Sequence, residues 1–160
     1  MNLGYTGRMA EKELFDEAIE TTGLELYLNY QQSLKAVKES QPWEDPSDPD
    51  KRFANDLHAT IANKLGFEDY SKLKFYTSVN SHLDKYHGVD AFFELELDNG
   101  QKNRVTLDVT LNINKGEDWK ADVVFQWPSE GLDPDLPEDK KEYIKQLEFI
   151  ADRIVKLIKQ

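Results

Sequence analysis

Three aspartates and one lysine share a stretch of the chain in which polar and apolar side chains alternate: Asp90, Asp108, Lys120 and Asp122. The alternation runs through three segments in which nearly every second residue is apolar, at 89–97, 104–112 and 119–127. A period of two is typical of strands that have one face on a core and the other exposed. We therefore predict a three-stranded antiparallel meander over about 89–127, with the carboxylates on its polar face.

The first turn of this meander decides which side chains meet. A two-residue Asn-Gly turn would place even positions opposite odd ones and turn the apolar side chains of one strand to the wrong face. A three-residue loop at 98–100, ending in glycine, keeps both faces uniform. It also places Glu94 opposite Arg104 and Glu96 opposite Lys102, and opposite charges across two strands favour that register.

A second three-residue loop, at 114–116, extends this register to the third strand. The polar face then carries directly opposed pairs: Asp90 with Asp108, Asp108 with Asp122, and Thr110 with Lys120. Opposed carboxylates repel each other and raise the pKa of one of them unless a cation lies between them. Because oxygen-only clusters suit Mg²⁺ or Mn²⁺ better than zinc, the row predicts a metal site at Asp90, Asp108 and Asp122. The alternative is a set of ordinary solvent-facing residues on a half-exposed sheet.

The rest of the chain is predicted to be mainly helical. The expected elements are two helices within 8–39, divided near 21–23, a helix at 51–65, a short strand at 74–79 and a long amphipathic helix at about 138–159. Helices followed by strands and a closing helix indicate an α+β fold. The length suits a single domain at 1–160, with 1–50 as a helical N-terminal extension and 51–160 as an α/β core.

Two short motifs carry a resemblance to a known family. GVDAFFEL at 88–95 begins a strand with an aspartate, and VTLDVTLN at 105–112 carries the next aspartate on the neighbouring strand. Together with the helix predicted before them, these motifs resemble the PD-(D/E)xK nuclease superfamily. The resemblance implies a restriction-endonuclease-like core in which Asp90 and Asp108 bind a metal ion. It also implies that the backbone carbonyl of Val109 lies beside that metal.

The chain departs from the superfamily pattern in its lysine and in its helix acid. Thr110 stands where the Asp-x-Lys motif has lysine, so Lys120, opposite it in the predicted register, is the candidate catalytic lysine. Lys115 is a second candidate, and Asp56 is the candidate for the acid that the superfamily carries on a helix. These departures make an inactive, binding-only member the alternative to an enzyme.

His82, Asp84 and His87 come shortly before the first strand of the predicted meander. Histidine and carboxylate side chains at this spacing suit a metal site, or a general base beside the aspartates. The same residues in a loop are more often ordinary surface side chains. The sequence leaves both interpretations open.

The charge of the chain limits its partners. With 31 acidic residues against 20 basic ones, the formal net charge is −11, which repels the DNA backbone over most of the surface. Any action on DNA must therefore come from a local site. The chain has no cysteine, no signal-peptide pattern and no long apolar run, so we expect a cytoplasmic protein that does not enter the membrane.

The function predicted from these residues is a divergent nuclease domain that acts on DNA with Mg²⁺ or Mn²⁺. Asp90, Asp108 and Lys120 are its predicted catalytic groups. The alternative is a non-catalytic protein whose acidic surface binds a basic protein partner. The two differ in whether the three side chains converge in a cleft or stand on an open sheet.

Overall fold

The computed structural model describes residues 6–20, 23–112 and 119–159. Within these ranges the chain has the α+β fold that its sequence predicts. The helices are α1 (Gly7–Phe15), α2 (Tyr30–Lys38), α3 (Arg52–Lys64), α4 (His82–His87) and α5 (Pro137–Ile158). The strands are β1 (Leu73–Thr77), β2 (Ala91–Glu96), β3 (Lys102–Thr110) and β4 (Val123–Gln126).

The strands form one mixed sheet in the order β1-β2-β3-β4. β2 is antiparallel to both β1 and β3, whereas β4 runs parallel to β3. The antiparallel meander predicted over about 89–127 is therefore wrong in its third strand. Residue alternation has the same period in both kinds of strand, so it did not reveal the direction of β4. A parallel neighbour requires a crossover connection and not a tight hairpin turn.

The hairpin between β2 and β3 confirms the first predicted turn. The Leu97 N–H donates to the Gln101 carbonyl across the turn at 2.7 Å. Gly100 has a φ of 84°, in the left-handed region that glycine tolerates. The observed register pairs Glu94 with Arg104 and Glu96 with Lys102. The three-residue loop was therefore the correct choice.

The parallel direction of β4 changes the partners of β3. The observed neighbours on β4 are Val124 for Asp108 and Gln126 for Thr110. The predicted neighbours, Asp122 and Lys120, are wrong because they required an antiparallel strand; both residues precede β4. The predicted turn at 114–116, including Lys115, lies outside the described residues.

Helices cover both faces of the sheet. On one face, α1, α3 and α5 pack around large buried side chains that include Phe15, Phe53, Phe75, Phe125 and Trp127. On the other face, α2 and α4 form a smaller cluster with Tyr76 and Phe92. This second face was predicted to be polar and exposed. Because helices cover it, both Asp90 and Glu94 are buried.

The helices at 51–65 and about 138–159 are confirmed as α3 and α5, and the predicted short strand at 74–79 corresponds to β1. The N-terminal stretch contains α1 and α2, as its helical spacing predicts. α4 was missed, because its six residues are too few for a helical period to stand out. None of the helices in the described ranges has the length and apolar character needed to cross a bilayer.

Candidate functional site

Four carboxylates meet at an open cavity of about 490 Å³. Glu11 comes from α1, Asp84 from α4, Asp90 from the residue before β2, and Asp108 from β3. Arg8, also on α1, is the cationic side chain among the described residues that line the cavity. Segments that are far apart in the sequence therefore bring their charged side chains to one space.

Asp90 lies in the middle of this group and is 1% exposed. Its N–H donates to the Leu107 carbonyl at 2.8 Å, and its own carbonyl accepts from the Ser78 N–H at 2.8 Å. Its Oδ2 accepts from the Val109 N–H at 3.0 Å. The β2–β3 register, continued by one residue, sets Asp90 opposite Asp108, and both residues line the cavity. The sheet itself therefore fixes this pair.

Burial and repulsion change the protonation of the cluster. Burial raises the pKa of Asp90 well above its usual value, and the hydrogen bond to Asp108 and the charge of Glu11 add to the rise. Burial also raises the pKa of Glu11 and of Asp84, and the charge of Arg8 opposes both shifts. One carboxylate oxygen from each of Glu11, Asp84 and Asp90 lies within 4.8 Å of the others. The cluster therefore retains protons where isolated carboxyl groups would be ionised.

α1 brings Glu11 to the cavity because the rest of the helix is anchored. Thr6 caps the helix, its hydroxyl accepting from the Met9 N–H at 3.2 Å. Leu14 and Phe15 are fully buried in the main cluster. Glu11 lies at the edge of this buried stripe and is half-buried. The amphipathic character of the helix thus determines where its carboxylate points.

α4 holds Asp84 in a similar way. The Ser81 hydroxyl caps the helix and accepts from the Asp84 N–H at 3.4 Å, while the Asn80 N–H donates to Asp84 Oδ2 at 2.9 Å. Gly88 ends the helix with a φ of 67° and lines the cavity. The aliphatic stem of Lys120 lies 3.7 Å from the position of a Cβ on Gly88. Lys120 therefore packs beside the cavity wall by its stem and is otherwise exposed.

The structure brings together two of the predicted metal ligands, Asp90 and Asp108. The third, Asp122, lies outside the group: its Oδ2 accepts from the Thr106 N–H at 2.9 Å and from the Thr106 hydroxyl at 3.1 Å. Asp122 thus satisfies the backbone of β3 at a position that β4 does not reach. Thr110, at the position where the resemblance expects lysine, lines the cavity.

Glu11 is the acidic residue of the cavity that the sequence did not point to, whereas Asp84 was named with His82 and His87 as a candidate metal ligand or general base. The resemblance required an acid on a helix, and Asp56 on α3 was the candidate. Asp56 instead accepts a hydrogen bond from the Tyr143 hydroxyl at 2.8 Å. The cap and apolar stripe of α1 were visible signals for a helix that carries Glu11. No spacing, however, linked that helix to the edge of the sheet.

The two histidines before β2 make a different contact. His82 is buried, with Nδ1 2.6 Å from the Glu20 carboxylate and Nε2 3.0 Å from the Gly23 carbonyl. His87 Nε2 lies 2.9 Å from the Leu28 carbonyl. Both rings therefore hold the segment between α1 and α2 against α4. Neither histidine belongs to the carboxylate cluster.

The donor set of the cavity fits a hard divalent cation. Its four acidic side chains offer only oxygen atoms, which Mg²⁺ and Mn²⁺ prefer. A divalent cation would relieve the repulsion between these carboxylates. Without a cation, that repulsion is reduced by protons that the carboxyl groups retain. Comparisons with models of protein families, with curated proteins and with solved structures find no match to this chain. The cavity and its carboxylates are therefore the basis for assigning a function.

Proposed function

We propose that the chain is a divalent-metal-dependent phosphodiesterase that hydrolyses DNA. The observation that carries this proposal is the buried Asp90 carboxylate, which shares an open cavity with three other carboxylates. Holding like charges together in this way costs free energy unless protons or a cation offset them. Carboxyl groups with raised pKa values that face a cavity are typical of functional sites.

The resemblance to the PD-(D/E)xK superfamily suggests a role for each carboxylate. Asp90 and Asp108 would hold Mg²⁺ or Mn²⁺, and Glu11 would be the acid from the helix. When bound, the cation supplies Lewis acidity, lowering the pKa of a bound water and offsetting phosphate charge. Asp84 would accept a proton from the water that attacks the phosphorus, because burial raises the pKa of Asp84 above its usual value. The P–O bond to the leaving group would break, and the leaving oxygen would take a proton from solvent.

Lys120 would stabilise the negative charge that develops on the phosphate. Its stem packs on Gly88 in the cavity wall, and its side chain is exposed. A long, flexible side chain of this kind keeps its ammonium group hydrated and free to turn toward a bound anion. Thr110, the residue at the lysine position of the superfamily motif, has no charge to offer.

The first experiment is metal binding and DNA cleavage by the wild-type chain. We expect Mn²⁺ binding in a calorimetric titration and metal-dependent cleavage of plasmid DNA. Asp108→Ala should lower cleavage by about 100-fold or more and weaken Mn²⁺ binding, because it removes a ligand. Lys120→Ala should lower cleavage and leave Mn²⁺ affinity unchanged.

Asp98→Asn is the matched control, because this aspartate lies in the β2–β3 turn and its side chain is 98% exposed. It should behave as wild type in both measurements. A wild-type chain that binds neither Mn²⁺ nor Mg²⁺ and does not cut DNA would remove the proposal.

A second candidate function follows from Thr110. A threonine in the place of the lysine is what a binding-only member of the superfamily would carry. Such a protein would use its acidic surface, with a formal charge of −11, to bind a basic protein partner. It would have no metal affinity, and its binding would weaken as salt rises.

A further inference from the structure

We infer that Arg8 contacts the phosphate of the substrate in the carboxylate cavity and supplies the charge that Thr110 lacks. This inference rests on the proposed function, because it names the group of that site that recognises the anionic substrate. It assigns the role to a residue that neither short motif contains.

Arg8 is positioned by the same helix that positions Glu11. It lies in the first turn of α1, three residues before Glu11, and lines the cavity. Its charge acts on the cluster, since it opposes the rise in the pKa values of Glu11 and Asp84. α1 also begins at the cavity with Gly7, so the positive end of its dipole lies there.

The guanidinium of Arg8 keeps its donors for a ligand. Within the described residues it forms no ion pair of 4 Å or less. Arg104, in contrast, is committed to a buried carboxylate, with its Nη2 2.7 Å from Glu94. An arginine that lines a cavity without a close carboxylate partner is available to a phosphate oxygen. Its planar fork fits two such oxygens, which the point charge of a lysine cannot match.

A phosphodiester in the cavity would meet two positive groups, the bound cation and Arg8. The carboxylates would hold the cation on which one phosphate oxygen rests, and Arg8 would contact another. Lys120 packs on Gly88 by its stem and is not one of the residues that line the cavity. Arg8 is exposed but lines the cavity, and among the described residues it is the cation that borders the site before any side chain moves.

The test compares Arg8→Ala with Lys12→Ala, which removes the same charge from the next turn of the same helix. Lys12 is exposed, pairs with Glu17 at 3.6 Å and does not line the cavity. Arg8→Ala should lower kcat/KM for DNA cleavage by about 100-fold, the usual effect of losing one group that stabilises the transition state. Arg8→Lys should recover part of this loss, and Lys12→Ala should stay within about twofold of wild type.

Mn²⁺ affinity is the second readout. Arg8→Ala should bind Mn²⁺ at least as tightly as wild type, because it removes a positive charge beside Glu11 and Asp84. Loss of cleavage with retained Mn²⁺ affinity would support the inference. Cleavage within about threefold of wild type, or Mn²⁺ affinity lost together with cleavage, would overturn it while the proposed function stands. A wild-type chain without metal binding or cleavage would overturn both.

Discussion

Asp90 illustrates how the protonation of one buried carboxyl group affects the stability of the folded chain. Burial, the hydrogen bond to Asp108 and the charge of Glu11 raise its pKa in the folded chain. The folded state therefore binds this proton more tightly than the unfolded state does. The resulting stability is present in acid and is lost as pH rises through the raised pKa. Without a cation, ionisation of the cluster therefore opposes folding.

Asp90→Asn should therefore stabilise the metal-free chain at neutral pH. Asparagine keeps an oxygen to accept from the Val109 N–H and offers the donor that a protonated Asp90 would offer to Asp108. A gain of about 1 kcal/mol would raise Tm by about 2–4 °C in a chain of this size. Differential scanning calorimetry in EDTA across the acidic to neutral range measures it, and the gain should grow with pH.

If the chain binds Mn²⁺ as proposed, the metal would stabilise the wild type by about 2.7 kcal/mol when the free metal is 100 times Kd. The same substitution should abolish that stabilisation. Asp98→Asn, on the exposed turn, should change neither Tm nor the response to Mn²⁺. If Asp90→Asn instead lowered Tm by the same amount at every pH, repulsion between the carboxylates would not be what destabilises the folded chain.

Among the residues of the cavity, the sequence predicted that Asp90 and Asp108 face each other, but it did not place Glu11 and Asp84 beside them. The Asp90–Asp108 pair could be predicted because a sheet register follows by counting residues once the turn at Gly100 is known. Glu11 and Asp84 reach the cavity through the packing of α1 and α4 on the sheet. No period along the chain encodes that packing. The predicted position of Asp122 opposite Asp108 was wrong because it depended on an assumed antiparallel direction of β4.

At the scale of elements, a buried ion cluster joins α2 to the sheet. Glu94 on β2 is 3% exposed and lies 2.8 Å from Lys38 Nζ on α2 and 2.7 Å from Arg104 Nη2 on β3. Burial alone would raise the pKa of Glu94. The hydrogen bonds from Lys38 and Arg104 outweigh that effect and hold the pKa below its usual value. The cluster thus stabilises the ionised form and ties three elements together.

Glu94→Gln should lower the free energy of unfolding by about 1–3 kcal/mol at neutral pH, because it leaves two partly buried cations without their carboxylate. A depressed pKa contributes stability above the unfolded value, and that contribution is lost as pH falls through the folded pKa. The difference between the variant and wild type should therefore shrink in acid. Urea unfolding at about pH 7 and about pH 3 measures it.

Glu96→Gln is the control for this prediction, because Glu96 lies on the same strand, pairs with Lys102 in the register and is exposed. Exposed pairs contribute about 0–1 kcal/mol, so its effect should be small at either pH. If Glu94→Gln and Glu96→Gln lowered the free energy of unfolding equally, the cluster around Glu94 would not be what joins α2 to the sheet.

The elements themselves were predicted well where their signal was long or local. Apolar periods that span many residues, together with local stop signals, predicted α3, α5 and the β2–β3 hairpin. α4 has only six residues, and its hydroxyl cap and terminal glycine were the sole local signals. The direction of β4 depends on how the chain crosses the sheet after Thr110, and a pattern of alternation does not contain that information.

At the scale of the whole molecule, a formal charge of −11 opposes the approach of DNA to the cavity. The local attraction of a bound cation and of Arg8 acts over a few ångströms, whereas the repulsion acts over the Debye length, about 30 Å at 0.01 M salt and about 8 Å at 0.15 M. Added salt therefore screens the long-range repulsion first. The opposite holds for basic DNA-binding proteins, whose affinity falls steeply with salt.

We accordingly expect kcat/KM for cleavage of a DNA oligonucleotide to rise between about 0.01 and 0.15 M salt, with the metal kept saturating, because the association step becomes faster as repulsion is screened. The measurement is an initial-rate series at constant free Mg²⁺. A small phosphodiester with a single negative charge is the control, and its rate should change much less over the same range. A steep fall in kcat/KM for DNA as salt rises would mean that a positive surface, and not the net charge, governs the encounter. DNA would then approach the chain along a path that avoids its acidic residues.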